Sequence, residues 1–113
     1  MDPRYVESGA TRYVSPVAGE LSKTLQADGA GKIFYARFCN TTAAKIYIFL
    51  FNGNDSTDPI LIPPIPVAAN ENADFMPYPI AFSAGLTIAA STSQTGYVAA
   101  GANAMQIEVL YKT

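Results

Sequence analysis

Acidic side chains gather in two places. Asp55 and Asp58 follow Asn52 and Asn54, so oxygen-bearing side chains recur at positions 52, 54, 56 and 58. A calcium loop needs alternate oxygens of this kind, but it also needs a bidentate Glu at its twelfth position, and counted from Asn52 that position is Pro63. The run reads as a solvated turn, and so does the pair Glu71 and Asp74. Serine and threonine are plentiful, yet the chain contains no histidine to take a proton from them or to hold a metal. Ser22 and Lys23 are adjacent, which does not space them as nucleophile and base. Gly29-Ala30-Gly31-Lys32 lacks the earlier glycine and the following Ser/Thr of a phosphate-cradling loop. The single cysteine, Cys39, excludes an intrachain disulfide and lies in an apolar run, where a thiol behaves as a small core hydrophobe. Seven tyrosines and six phenylalanines could stack sugars or bases, but they sit in the strongest apolar runs with few basic neighbours, which favours packing. The residues thus point to no catalytic, cofactor-binding or metal site, and to no enzyme.

The elements that must position these residues follow from composition and pattern. At 113 residues the chain is one domain, with an expected radius of gyration of roughly 13 Å. Half of it is hydrophobic and 14% is charged, which excludes the highly charged disordered class. A net charge of −2 argues against a nucleic-acid partner. No run approaches the ~18 apolar residues of a membrane helix, so no membrane partner is expected. The first residues lack the apolar centre of a secretory leader, and synthesis in a cytoplasm is expected. Asn40-Thr41-Thr42 and Asn54-Asp55-Ser56 match the glycosylation pattern by chance on that reading.

Residues 1–20, with Pro3, Gly9, Pro16 and Gly19, read as an extended N-terminal arm, and 21–113 as the folded domain. A strand is expected over Leu21–Gln26, because Leu21 and Leu25 alternate with Ser22, Thr24 and Gln26; a short helix begun at Ser15-Pro16 is the competing reading. Ile33–Cys39 and Lys45–Phe51 are dense in β-branched and aromatic residues. Both faces of the second run are apolar, so one face should meet a second sheet and the other a neighbour or a loop. Asn52-Gly53 is hairpin-turn chemistry. Pro59, Pro63, Pro64 and Pro66 exclude a central strand, while Ile60, Ile62 and Ile65 still seek burial, which an edge strand or stiff wall satisfies. Asp74–Phe82 reads as extended, Gly85–Ala89 as a strand, and Ser91–Asn103 as a long loop around a short strand at Tyr97–Ala99. Met105, Ile107, Val109 and Tyr111 alternate with Gln106, Glu108 and Leu110, the pattern of a half-buried strand. The expected fold is all-β: an antiparallel β-sandwich or small jelly roll.

One feature of this pattern bears on function. Tyr47, Phe49, Phe51, Phe75, Met76, Tyr78, Ile80 and Phe82 are more apolar side chains than a small isolated sandwich easily hides, which suggests protein contacts.

The run from Ala27 to Thr113 resembles small structural proteins of tailed bacteriophages. The shared grammar is an N-T-T turn (Asn40–Thr42), an aliphatic strand (Ile46–Phe51) and a tight F-N-G turn (Asn52–Gly53). It continues with a Pro-rich run (Pro59–Val67), an Asn and acidic turn (Asn70–Asp74), F-S-A-G-L-T-I-A (Phe82–Ala89) and a last strand ending in L-Y (Ile107–Tyr111). The resemblance implies a non-enzymatic β-sandwich of the virion, similar to head decoration (cement) proteins, which often form trimers and reach neighbouring subunits with N-terminal arms. On that reading the partner is the major capsid protein of a phage head. Arg4, Tyr5, Arg12 and Tyr13 of the arm would touch the capsid, and Tyr47, Phe49 and Phe51, or the wall of Ile60, Ile62 and Ile65, would form a homotrimer contact. A neck, tail or head-fibre-base role, or a carbohydrate- or receptor-binding module, are the alternatives.

Overall fold

The computed structural model describes residues 11–14, 22–75, 79–100 and 105–113, and every regular element among them is a β-strand. In chain order these are β1 (Thr11–Val14), β2 (Ser22–Gln26), β3 (Gly31–Asn40), β4 (Ile46–Phe51), β5 (Ile65–Val67), β6 (Asn72–Phe75), β7 (Ile80–Phe82), β8 (Leu86–Ser91) and β9 (Met105–Lys112). They form two antiparallel sheets. The five-stranded sheet runs β1-β9-β3-β6, with β7 also on β3; the four-stranded sheet runs β2-β8-β4-β5. The chain is therefore an all-β sandwich with a Cα radius of gyration of 13.0 Å.

Alternation builds the core. Ile46, Ile48 and Leu50 of β4 face inward, with Ala90 opposite Ile48 and Ile88 opposite Leu50 on β8. From the other sheet come Phe38, Met105, Ile107, Val109 and Tyr111. At ~25 cal/mol per Å² of apolar surface, these side chains supply most of the drive for the two layers to close.

Two departures from simple alternation matter. Ile33 pairs with Tyr111, but Tyr35, two residues on, pairs with the very next residue of β9, Leu110. Phe34 is the extra residue of a bulge, and it reverses the sense of β3: Ile33 points inward before it, and Ala36, Phe38 and Asn40 after it. The second departure is Leu110, expected on the solvent face with Gln106 and Glu108. It is buried, with Arg12 and Tyr35 as its cross-strand partners on either side. Long side chains flanking an outward leucine remove it from water without a second sheet.

Asparagines tie the turns to the sheets. The buried Asn40 Oδ1 accepts from the Thr42 amide and hydroxyl, and its Nδ2 lies 2.8, 3.0 and 3.1 Å from the carbonyls of Ala44, Val67 and Ala68. One side chain thus fastens the N-T-T turn to the end of β5. Asn52 Oδ1 accepts from the amides of Ser83 and Ala84, and its Nδ2 donates to Ser83 Oγ. That joins the F-N-G turn to the F-S-A-G segment across 31 residues. Gly85 follows at φ 125°, and a Cβ there would sit 2.7 Å from the Gln26 carbonyl oxygen, so a glycine is required on both counts.

Of residues 1–20, Thr11–Val14 are the edge strand of the larger sheet, in register with Tyr111 to Glu108 of β9. Residues 1–10 and 15–20 lie outside the described residues, as do Met76 and Tyr78.

Candidate contact surfaces

The residues expected to touch a capsid separate into two groups. Arg4 and Tyr5 lie outside the described residues. Arg12 and Tyr13 are used by the fold itself. Tyr13 is half-buried against the core, and Arg12 Nε donates to Glu108 Oε2 at 2.6 Å. Across the same sheet Arg37 Nε stands 3.6 Å from Asp74 Oδ1. Because Arg37 is in register with both Glu108 and Asp74, the outer face carries a line of alternating charge: Arg12, Glu108, Arg37, Asp74. Tyr35 lies beside it. Burial, then the negative fields of Asp74 and Glu108 working against Arg37, raise its hydroxyl pKa above the ordinary 10.0.

The aromatic face has a different fate from the one expected. Phe49 and Phe51 are 5% and 3% exposed and stack with centroids 5.7 Å apart. Tyr97 stands edge-on over both, at 6.0 and 5.9 Å. The chain's own loop after β8 therefore covers what was expected to meet another subunit, and only Tyr47 of the three remains half-exposed at the rim. Ser91 holds the loop in place. Its buried hydroxyl accepts from the amides of Ser93 and Val98 at 3.1 and 3.0 Å and donates to the Ser93 carbonyl at 2.8 Å. The short strand expected at Tyr97–Ala99 does not form; a single isolated bridge joins Ser91 to Ala99 in its place. Burial alone raises the Tyr97 pKa above 10.0. The same cause raises that of Tyr111, whose hydroxyl donates to the Leu25 carbonyl at 3.1 Å.

The proline-punctuated run forms the expected edge. β5 pairs with β4 through Ile65–Val67, and Ile60 makes an isolated bridge to Phe51. Ile62 and Ile65 are half-buried against the core. Ile60 is 45% exposed, with the exposed Pro59 and Pro63 nearby in the chain. Prolines on this edge remove amide donors from it and discourage open-ended strand addition. Val14 on β1 and Val98 on the loop are the other large exposed apolar residues among those described.

The acidic turn is closed on itself. Asp58 Oδ2 accepts from the Asp55 amide at 3.1 Å, and a Cβ on Gly53 would fall on the Asp58 carboxylate. Among the described residues no group of three or more His, Cys, Asp or Glu side chains converges as a metal site. Cys39 is half-buried on β3, opposite Gln106 and Asn72. No family model, curated protein or solved structure matches this chain.

Proposed function

We propose that this chain is a non-enzymatic structural protein of a tailed-phage virion, and within that class a decoration protein bound to the outside of the head. The observation that carries the reading is how the phage-like motifs are used. Asn40 and Asn52 fasten turns to sheets, while the Pro59–Val67 motif forms a stiff edge that leaves Ile60 45% exposed. A preformed apolar ridge of this kind loses little conformational entropy when it is covered. Repetition over a symmetric lattice would turn a weak contact at each copy into firm occupancy. With Arg12 and Tyr13 engaged in the fold, the arm's contribution to a major capsid protein rests on Arg4 and Tyr5. Homotrimer contacts rest on Ile60 and Tyr47, since Phe49 and Phe51 are covered.

The test is to mix the full chain with undecorated heads of the phage whose genome carries this sequence and to count bound copies. Saturation at hundreds of copies per head is expected, with Ile60→Asp lowering occupancy roughly tenfold or more at unchanged melting temperature. No co-sedimentation overturns the reading, and roughly six to a dozen copies would replace it with a neck or tail ring. Light scattering should give three times 12.0 kDa for a preformed trimer; a clean monomer removes that part of the proposal.

A further inference from the structure

The Asn52-Gly53 turn carries a reactive dipeptide. A glycine after an asparagine has no Cβ to keep its backbone nitrogen away from the asparagine Cγ. In a free chain that nitrogen gives its proton to hydroxide and bonds to Cγ. The Cγ–Nδ2 bond breaks, Nδ2 takes up protons from water, and ammonia leaves. A cyclic imide remains, which water opens at either of two carbonyls. One opening gives aspartate. The other gives isoaspartate, in which the main chain runs through Cβ and Cγ.

The fold holds the groups that would have to move. Asn52 Oδ1 accepts from the Ser83 and Ala84 amides, each at 2.9 Å, and Nδ2 donates to Ser83 Oγ at 3.1 Å. On the main chain the Asn52 amide donates to the Pro59 carbonyl at 2.7 Å. The Gly53 carbonyl accepts from the buried Thr87 hydroxyl at 2.9 Å. The peptide groups on both sides of the Asn52–Gly53 bond are therefore pinned, and the carboxamide is committed to a segment 31 residues away. The Asp58 carboxylate lies against Gly53 and accepts from the Asp55 amide, which closes the turn from its other side.

From this clamp we infer that Asn52 is a site of spontaneous covalent modification gated by the fold. The closed turn resists imide formation. The opened turn forms the imide, and the isoaspartate product cannot retie the turn. Its main chain is longer and its side chain shorter, so it cannot keep the Pro59 bond and the Ser83 and Ala84 bonds together. Aspartate can, because a carboxylate still accepts from both amides. Opening of this turn is thereby converted from a reversible event into an irreversible one.

The test incubates the full chain at mildly alkaline pH, folded and in guanidinium. Mass spectrometry follows exchange of NH2 for OH in the Asn52–Gly53 peptide, and enzymatic methylation counts isoaspartate. In denaturant Asn52 should react ahead of Asn54, Asn70 and Asn72, which precede Asp, Glu and Ala. In the folded chain its rate should fall roughly tenfold or more, since reaction waits on local opening. Ser83→Ala, which removes the acceptor of Nδ2, should quicken the folded-state reaction roughly fivefold. Refolded isoaspartate chains should exchange the Ser83 and Ala84 amides faster, whereas Asn52→Asp should keep them protected. Equal rates in the folded and denatured chain overturn the gate. A faster folded rate also overturns it, because the two amides would then be acting as an oxyanion hole on Cγ. An unchanged rate in Ser83→Ala, prior reaction at another asparagine, or protected Ser83 and Ala84 amides in the isoaspartate chain would each do the same.

Discussion

On the outside of the four-stranded sheet, Phe49 and Phe51 pack with Ala89 and are roofed by Tyr97, with Tyr47 half-exposed at the rim. On the outside of the five-stranded sheet, Arg12, Glu108, Arg37 and Asp74 stand in a line with their charges alternating. A sandwich needs only its inner faces to be apolar, so each outer face requires its own arrangement with water. One covers an aromatic surface with a strap only a few residues further along the chain. The other pairs charges whose side chains stay 52% and 68% exposed at Arg37 and Asp74. The difference teaches that an aromatic outer face in a small sheet need not signal a partner: a loop that leaves and returns on the same strand can hide it.

This contrast can be broken by experiment. Phe49→Ala removes a buried ring from between Phe51 and Tyr97 and should cost about 3–4 kcal/mol in urea denaturation, a large share of a small domain's stability. A cost under about 1 kcal/mol would mean that the roof is not a packed layer. Ser91→Ala leaves the Val98 and Ser93 amides without their buried acceptor and should cost about 2 kcal/mol. Hydrogen exchange should then quicken at Ser93 and Val98 and stay slow at Ala36 and Phe38; uniform quickening would show that strap and sandwich open together. Glu108→Gln breaks the ion pair with Arg12 on the open face and should cost at most about 1 kcal/mol, fading toward zero in ~1 M salt.

The finest test uses pH. The tyrosine pKa values raised in the fold mean that the folded chain holds protons which the unfolded chain releases near 10.0. Their stabilising contribution is therefore complete below pH ~10 and is lost as pH rises through the folded values. Salt should diminish the part due to Tyr35, where neighbouring carboxylates add to burial, and leave that of Tyr97, where burial acts alone. A Tyr97→Phe chain whose alkaline slope stays salt-independent would reverse these assignments.

Much of the fold was legible because periodicity is local. Alternation in Met105–Tyr111, the Asn-Gly turn and the proline-stiffened edge all sit where the residues indicated. The apolar outer face of β4 was legible as a surface needing cover by a neighbour or a loop. That a loop supplies it was not, because Ser91 acts through one hydroxyl in a stretch that looks merely polar. The bulge at Phe34 was equally hidden: Ile33–Cys39 is apolar enough to suit either register, and only the partner strand shows where the count slips. β1 escaped notice because four residues between glycines and prolines have no pattern of their own, and pairing with β9 makes them a strand. The pairing of Lys32 with Lys112 was invisible for the same reason, since the two residues become neighbours only in the sheet.

The position of β9 has a consequence for how this protein comes to exist. It follows every other strand in the chain, yet it lies inside the larger sheet, between β1 and β3. Until residues 105–112 arrive, β1 lacks the strand it pairs with, β3 lacks its longest partner, and the core lacks Met105, Ile107, Val109 and Tyr111. Contacts that span the chain close slowly, in milliseconds to seconds for all-β domains. A nascent or truncated chain therefore presents raw sheet edges to its surroundings, and the molecule becomes safe from aggregation only when its last strand slides into the gap.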